Sequence, residues 1–353
     1  MFEYNNKIKN LIPYNPVTVS YAIRLDANES FVTPNEEIKE EILNEIAKLQ
    51  LNRYPDPYAV EACSGFAQYF SVHPENIVAG NGSDELISII MTVFLQKGDK
   101  VLSLSDDFSM YSFYTSLVDC KNIVIQKNDD YSVDIDKIIN TANEKSARII
   151  IFSNPCNPTG RVIKREDLRR LIKSVNSLVV LDEAYMDFSD ESMLCEFANY
   201  DNLIILKTCS KAIGMAGIRL GFAIANNDLI NVLKAAKSPY NVNVISQKIC
   251  SVLFSHNDYI DNSIKRVLES RDSLYSQLDA LSNELSNPFT VIKPHTNFVF
   301  MKYKDADKLH NYLTINSISV RFISGGLRIT AGRNYENAEL VNTIRLFLTN
   351  EIK

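Results

Sequence analysis

Leu178-Val179-Val180-Leu181-Asp182-Glu183-Ala184-Tyr185, followed by Leu203-Ile204-Ile205-Leu206-Lys207-Thr208-Cys209-Ser210-Lys211, decides the fold class. Each stretch opens with a nearly unbroken apolar run, as expected of a strand covered by helices on both faces of a parallel sheet. An acid closes the first run, and a lysine stands just beyond the second. The 29 residues from Asp182 to Lys211 leave room for one crossover and the next strand. Both groups are therefore expected at one edge of the same sheet. An isolated acid in this position would be read as a helix cap.

Outward from this pair, the alternation of short β-rich runs and helix-length segments continues from about residue 35 to residue 245. It predicts parallel strands joined by helical crossovers. The strands are expected at Ile77–Ala79, Lys100–Leu104, Asn122–Ile125, Arg148–Ser153, Leu178–Asp182, Leu203–Lys207 and Leu220–Ile224, and helices at Asn35–Leu49, Ser83–Phe94, Arg165–Ser174 and Leu229–Ala236. One long helical stretch is expected from about Val244 to Leu285. A smaller α+β unit follows, with strands at Phe298–Lys302, Ser319–Phe322 and Leu327–Thr330, a helix over about Asp305–Asn316 and a terminal helix from about Ala338. The expected organisation is a large domain over residues 31–245, with a small domain built from residues 1–30 and 246–353.

Composition narrows the function classes. The 353 residues are 46% hydrophobic and 23% charged, ordinary for a chain with a large core. Lys+Arg 37 against Asp+Glu 43 gives a net charge of −6, so no overall positive field attracts a nucleic-acid backbone. The longest apolar runs are strand-sized, short of the ~20 residues that span a bilayer. The six cysteines include no C-x-x-C pair, and no basic segment followed by an apolar one opens the chain, which predicts reduced thiols in the cytoplasm. The four histidines show no metal-ligand spacing, and no metal is expected.

Three further elements carry chemistry. Gly80-Asn81-Gly82-Ser83-Asp84-Glu85 has Glu85 where a dinucleotide fingerprint needs its third glycine, so it reads as a strand-to-helix turn. Ser83 is the expected N-cap, and such a helix start can hold a phosphate through free N–H groups. Asn154-Pro155-Cys156-Asn157-Pro158-Thr159-Gly160 fixes a rigid turn at a strand's carboxyl end, where open α/β sheets place ligands. Lys211, beside hydroxyls and ahead of the glycine-rich Gly214–Gly221 segment, is placed for Schiff-base chemistry.

Taken together, these elements resemble the fold-type-I aminotransferases that use pyridoxal 5'-phosphate, over nearly the whole chain. The resemblance narrows to the histidinol-phosphate aminotransferase branch through Leu25-Asp26-Ala27-Asn28-Glu29, Asn52-Arg53-Tyr54-Pro55-Asp56-Pro57, Gly80–Glu85, Ser238-Pro239-Tyr240-Asn241 and Leu327-Arg328-Ile329-Thr330-Ala331-Gly332. It implies an α/β fold, with a mostly parallel sheet in the large domain.

The resemblance also implies roles. Lys211 would be the Schiff-base lysine and proton shuttle, and Asp182 the partner of the pyridinium nitrogen. Asn157 and Tyr185 would bond the phenolic oxygen. Gly82 and Ser83, with Asp84 beside them, would bind the phosphate together with Thr208, Ser210 and Arg219. Phe108 would stack on the ring, with Tyr111 as its substitute. Tyr54 would reach the phosphate of a neighbouring subunit, which implies a homodimer. Arg328 would grip the donor carboxylate, and Tyr14 and Arg321 the substrate phosphate. The implied partners are small molecules, with the amino group moving between L-histidinol phosphate and 2-oxoglutarate in histidine biosynthesis. A threonine-phosphate decarboxylase and an aromatic aminotransferase share much of the pattern.

Overall fold

A computed structural model describes residue 2, residues 20–286 and residues 288–351; Tyr14 lies outside the described residues. The strands are β1 (Ile23–Arg24), β2 (Ile77–Gly80), β3 (Lys100–Leu104), β4 (Lys121–Ile125), β5 (Ile149–Ser153), β6 (Leu178–Asp182), β7 (Leu203–Thr208), β8 (Gly221–Ala225), β9 (Phe289–Ile292), β10 (Phe298–Tyr303), β11 (Ile318–Ser319), β12 (Arg321–Ile323) and β13 (Gly326–Thr330).

Seven strands form one sheet in the order β2-β8-β7-β6-β5-β3-β4. The parallel reading fails at β8, which runs antiparallel to both β2 and β7. The β7–β8 loop holds only a short 3-10 turn, Ala216–Ile218, and closes through Cys209 N–H to Leu220 O at 2.9 Å, so the chain returns as a hairpin. The two-residue period of the strands sends Val180, Ile204 and Leu206 to one face, where they meet Leu86, Ile90 and Met91 of helix Gly82–Phe94. Leu181, Ile205 and Phe152 face the other layer, with Phe66, Leu168 and Leu253. Phe152 is fully buried, and truncating it to alanine is expected to cost ~3–5 kcal/mol.

A second sheet, β12-β13-β10-β9, is antiparallel throughout. Its apolar face packs with Leu274, Leu278, Leu309 and Ile344. The short parallel pair β1–β11 joins residues 23–24 to residues 318–319.

Three expected elements are redrawn. The long helix divides into Val244–Phe254 and Asn257–Glu284. At the break the Ser255 hydroxyl donates to Val252 O, and His256 leaves helical geometry with its ring 2.7 Å from Glu41 Oε2. The expected strand Ser319–Phe322 divides at Val320, because β11 pairs with β1 while β12 pairs with β13. The terminal helix begins earlier, spanning Asn334–Glu351, since Glu336 accepts from Arg333 N–H at 2.6 Å and supports its first turn.

Candidate active site

Strand register brings the chemistry-bearing segments to one edge of the large sheet. Ser153 lies opposite Asp182, Asp182 opposite Leu206, Thr208 opposite Gly221, and Gly221 opposite Gly80. The carboxyl ends of β5, β6 and β7 therefore stand beside the glycine turn that follows β2.

At that turn, helix Gly82–Phe94 begins after Asn81, which makes no side-chain cap, so Ser83 lies in the first turn and does not cap it. The first-turn N–H groups are the positive pole of the helix. Gly82 has φ +75°, and a Cβ there would meet Arg219 Nη2 at 3.0 Å. At Gly221 a Cβ would strike the Gly82–Ser83 backbone at 2.5 Å. Two glycines thus let the hairpin lie directly on the helix start. Arg219 Nη1 is 3.4 Å from Ser210 Oγ, and Thr208 Oγ1 donates to Ser210 Oγ at 3.0 Å. Asp84, in the same turn, has a buried Oδ1 without a hydrogen-bond partner. Burial raises its carboxyl, against the pull of Arg219.

Asp182 is buried at the end of β6. Its Oδ2 accepts from the Tyr111 hydroxyl at 2.8 Å, and its Oδ1 accepts from Ala184 N–H at 3.1 Å. Burial pushes its carboxyl up to about 6, while these two hydrogen bonds pull the other way. Tyr111 was the alternative stacking ring. It is fully buried, and Phe108 stands edge-on to it at 5.6 Å, in a partly buried position.

Lys211 Nζ donates to the carbonyl oxygens of Ala27 and Asn28 at 3.1 and 3.3 Å. It lies 5.8 Å from the centre of the Tyr185 ring, whose hydroxyl accepts from Asn28 Nδ2 at 2.8 Å. Asn157 N–H donates to Ser153 Oγ at 3.0 Å, and the Asn157 side-chain oxygen accepts from Arg328 Nη1. Arg328 also donates to Asp26 O at 2.6 Å. Across the ladder, Arg321 is paired in register directly with Arg328. Like charges placed opposite each other are unfavourable unless an anion joins them.

Tyr54 stands apart. It is 82% exposed and stacks on Tyr240 at 4.6 Å, in an open groove of about 510 Å³ that also takes in Leu51 and Ile245. Several contacts of the site had no assigned role in the sequence reading: Asn28, which serves both Tyr185 and Lys211; Tyr111 as a partner of Asp182; and Asp107, which accepts from Ser153 N–H at 3.1 Å and steadies the Phe108 loop against β5. The Leu25–Glu29 segment was the available signal for Asn28. All six cysteines are free. Among the described residues no His/Cys/Asp/Glu group is arranged to hold a metal ion, and no helix is long and apolar enough to cross a membrane.

The chain belongs to the class I and II aminotransferases, whose family pattern matches residues 21–344. A histidinol-phosphate aminotransferase of Clostridium kluyveri is 37% identical over 350 residues, covering 98% of each chain. Another, from Clostridium novyi, is 39% identical and covers 97% of this chain and 96% of its own. At that likeness the chain falls within the histidinol-phosphate aminotransferase family, and its cofactor is pyridoxal 5'-phosphate. The fold matches the crystal structure of the Sinorhizobium meliloti histidinol-phosphate aminotransferase in complex with pyridoxal-5'-phosphate, with a TM-score of 0.88, 18% identity and 99% of both chains covered. The residues present suit such a group: a glycine-lined helix start beside Arg219, a buried acid at the end of β6, and a lysine just beyond the end of β7.

Proposed function

We propose that this chain moves an amino group between L-histidinol phosphate and 2-oxoglutarate, as a cytoplasmic homodimer serving histidine biosynthesis. The carrying observation is the meeting of Asp182, Lys211, Asn157 and the Gly82–Arg219 cradle at one sheet edge. When bound, pyridoxal phosphate supplies the electron sink and the carbonyl that accepts the amino group.

This chain's own groups would do the rest. The first-turn N–H groups of Gly82 and Ser83, with Thr208, Ser210 and Arg219, hold the phosphate. Asp182 keeps a proton on the ring nitrogen. The Tyr185 hydroxyl already accepts from Asn28, so its own proton is available to the phenolic oxygen. Asn157 offers Nδ2 to the same atom, because its Oδ1 is committed to Arg328. Phe108 covers the ring. Lys211 would hold the cofactor, and its Nζ, once displaced by the incoming substrate amine, would move the substrate Cα proton. Arg328 would receive the carboxylate or phosphate of the substrate and Arg321 would reach mainly the phosphate, an anion there relieving the repulsion between the two. The exposed Tyr54, Tyr240, Leu51 and Ile245 support a face buried by a second copy, with Tyr54 completing the neighbour's phosphate site.

The test is a substrate comparison with the purified protein. Glutamate should form from 2-oxoglutarate with L-histidinol phosphate as donor, and Lys211→Ala should abolish the transfer. Faster CO2 release from threonine phosphate, or faster transfer from an aromatic amino acid, would overturn the substrate assignment.

A further inference from the structure

We infer that Tyr111 is a positioning residue for amino transfer: its hydroxyl orients the Asp182 carboxylate and stabilises its negative charge. This rests on the reading of Asp182 as the partner of the cofactor ring.

Tyr111 sits in the core beneath the site, among Val101, Ile149 and Val180. A phenylalanine would fill that space equally well, and a phenol buried there without a partner would be costly. The hydroxyl has a partner: it meets Asp182 Oδ2 at 2.8 Å. Burial and nearby acids push the phenol well above its ordinary range, so it stays protonated and donates. With Ala184 N–H on Oδ1, each carboxylate oxygen receives one donor, which fixes the plane of the group.

The charged surroundings make that donor matter. Asp107, from the loop before helix Met110–Leu117, and Asp84, from the first turn of helix Gly82–Phe94, both disfavour charge on Asp182. The nearby cations serve other acids, Lys127 facing Asp107 and Arg219 facing Asp84. Burial already raises the Asp182 carboxyl, so its negative charge leans on the donors that reach it. Without the phenol that charge would lose one of its two donors, and its hold on a cationic ring would weaken.

The test is cofactor affinity as a function of pH, which needs no turnover. Equilibrium dialysis of pyridoxal phosphate against wild type, Tyr111→Phe, Asp182→Asn and the double variant supplies it, and titrations of the free cofactor cancel in the comparison. Tyr111→Phe should bind about tenfold more weakly at pH 7, with its acid-side midpoint raised by roughly one pH unit, as expected for loss of a hydrogen bond to a charged group. In the Asp182→Asn background the same change should add nothing. An unchanged midpoint, or an equal loss in both backgrounds, would overturn the role of Tyr111. If Asp182→Asn itself binds like wild type at every pH, the assignment of Asp182 fails, and Tyr111 with it. Should Tyr111→Phe not fold, 3-fluorotyrosine placed at position 111 is the second variant. Its more acidic hydroxyl should lower the midpoint, and no movement would overturn the inference.

Discussion

Arg328, on β13, donates through Nη1 to the side-chain oxygen of Asn157, 2.6 Å away. The residue proposed to grip the substrate anion is thus held by a residue proposed to bind the cofactor. Removing Asn157 should loosen one of the guanidinium's holds, Asp26 O keeping another, as well as weaken cofactor binding. Asn157→Ala is expected to raise KM for both amino donors by about tenfold, the scale of one hydrogen bond to a charged group. Steady-state kinetics at saturating cofactor would show it. A fall in kcat with both KM values unchanged would contradict the coupling.

Asp182 gives a prediction about stability. Its carboxyl is raised from 3.8 to about 6, chiefly by burial. An acid of this kind costs the cofactor-free protein stability as pH climbs from about 4 to 6, and the loss is complete above that window. At ~1.4 kcal/mol per pH unit, the cost is on the order of 3 kcal/mol. Cofactor-free Asp182→Asn should therefore unfold at a higher temperature than wild type at pH 8, while the two converge near pH 4. Equal melting temperatures at pH 8 would refute this.

Arg321 and Arg328 face each other across β12 and β13, but their proposed duties differ. Arg328→Lys should slow both half-reactions, because a single ammonium cannot replace the bidentate fork. Arg321→Ala should slow mainly the half-reaction with L-histidinol phosphate, by roughly 10- to 150-fold. Single-turnover rates with each donor decide the matter, and equal losses for both donors would remove the division of labour.

Tyr54 tests the dimer. Mixing Tyr54→Phe with Lys211→Ala subunits gives hybrids in which one site carries both defects and the other carries neither. Hybrids should regain about half the activity of the wild-type dimer. Hybrids demonstrated by mass, yet no more active than the parent variants, would rule out a shared site.

What the sequence made legible was chiefly what depends on short range. The buried strands ending at Ser153, Asp182 and Thr208 are visible as apolar runs because both their faces are covered. Helix Ile135–Lys145 carries a local signal as well, since the Asp134 side chain accepts from Lys137 N–H. The Tyr111–Asp182 and Asn28–Tyr185 bonds join residues 71 and 157 positions apart. No local pattern announces them, because folding alone creates the pairs. The hairpin at β8 was hidden for a related reason: an apolar strand reads the same in either direction.

The β1–β11 pairing reaches further than its two residues on each side. Leu25 N–H is bonded to Ser319 O and Leu25 O accepts from Thr330 N–H, while Asn28 N–H meets Thr330 Oγ1. That same short stretch offers Lys211 its carbonyl acceptors. A segment around residue 25 is thus seated by one about 300 positions later in the chain. A nascent chain can assemble the seven-stranded sheet once residue 225 has emerged, with the lysine already at its edge. The resting place of its amine takes shape only after residue 330 is made, so the capacity for chemistry follows the scaffold.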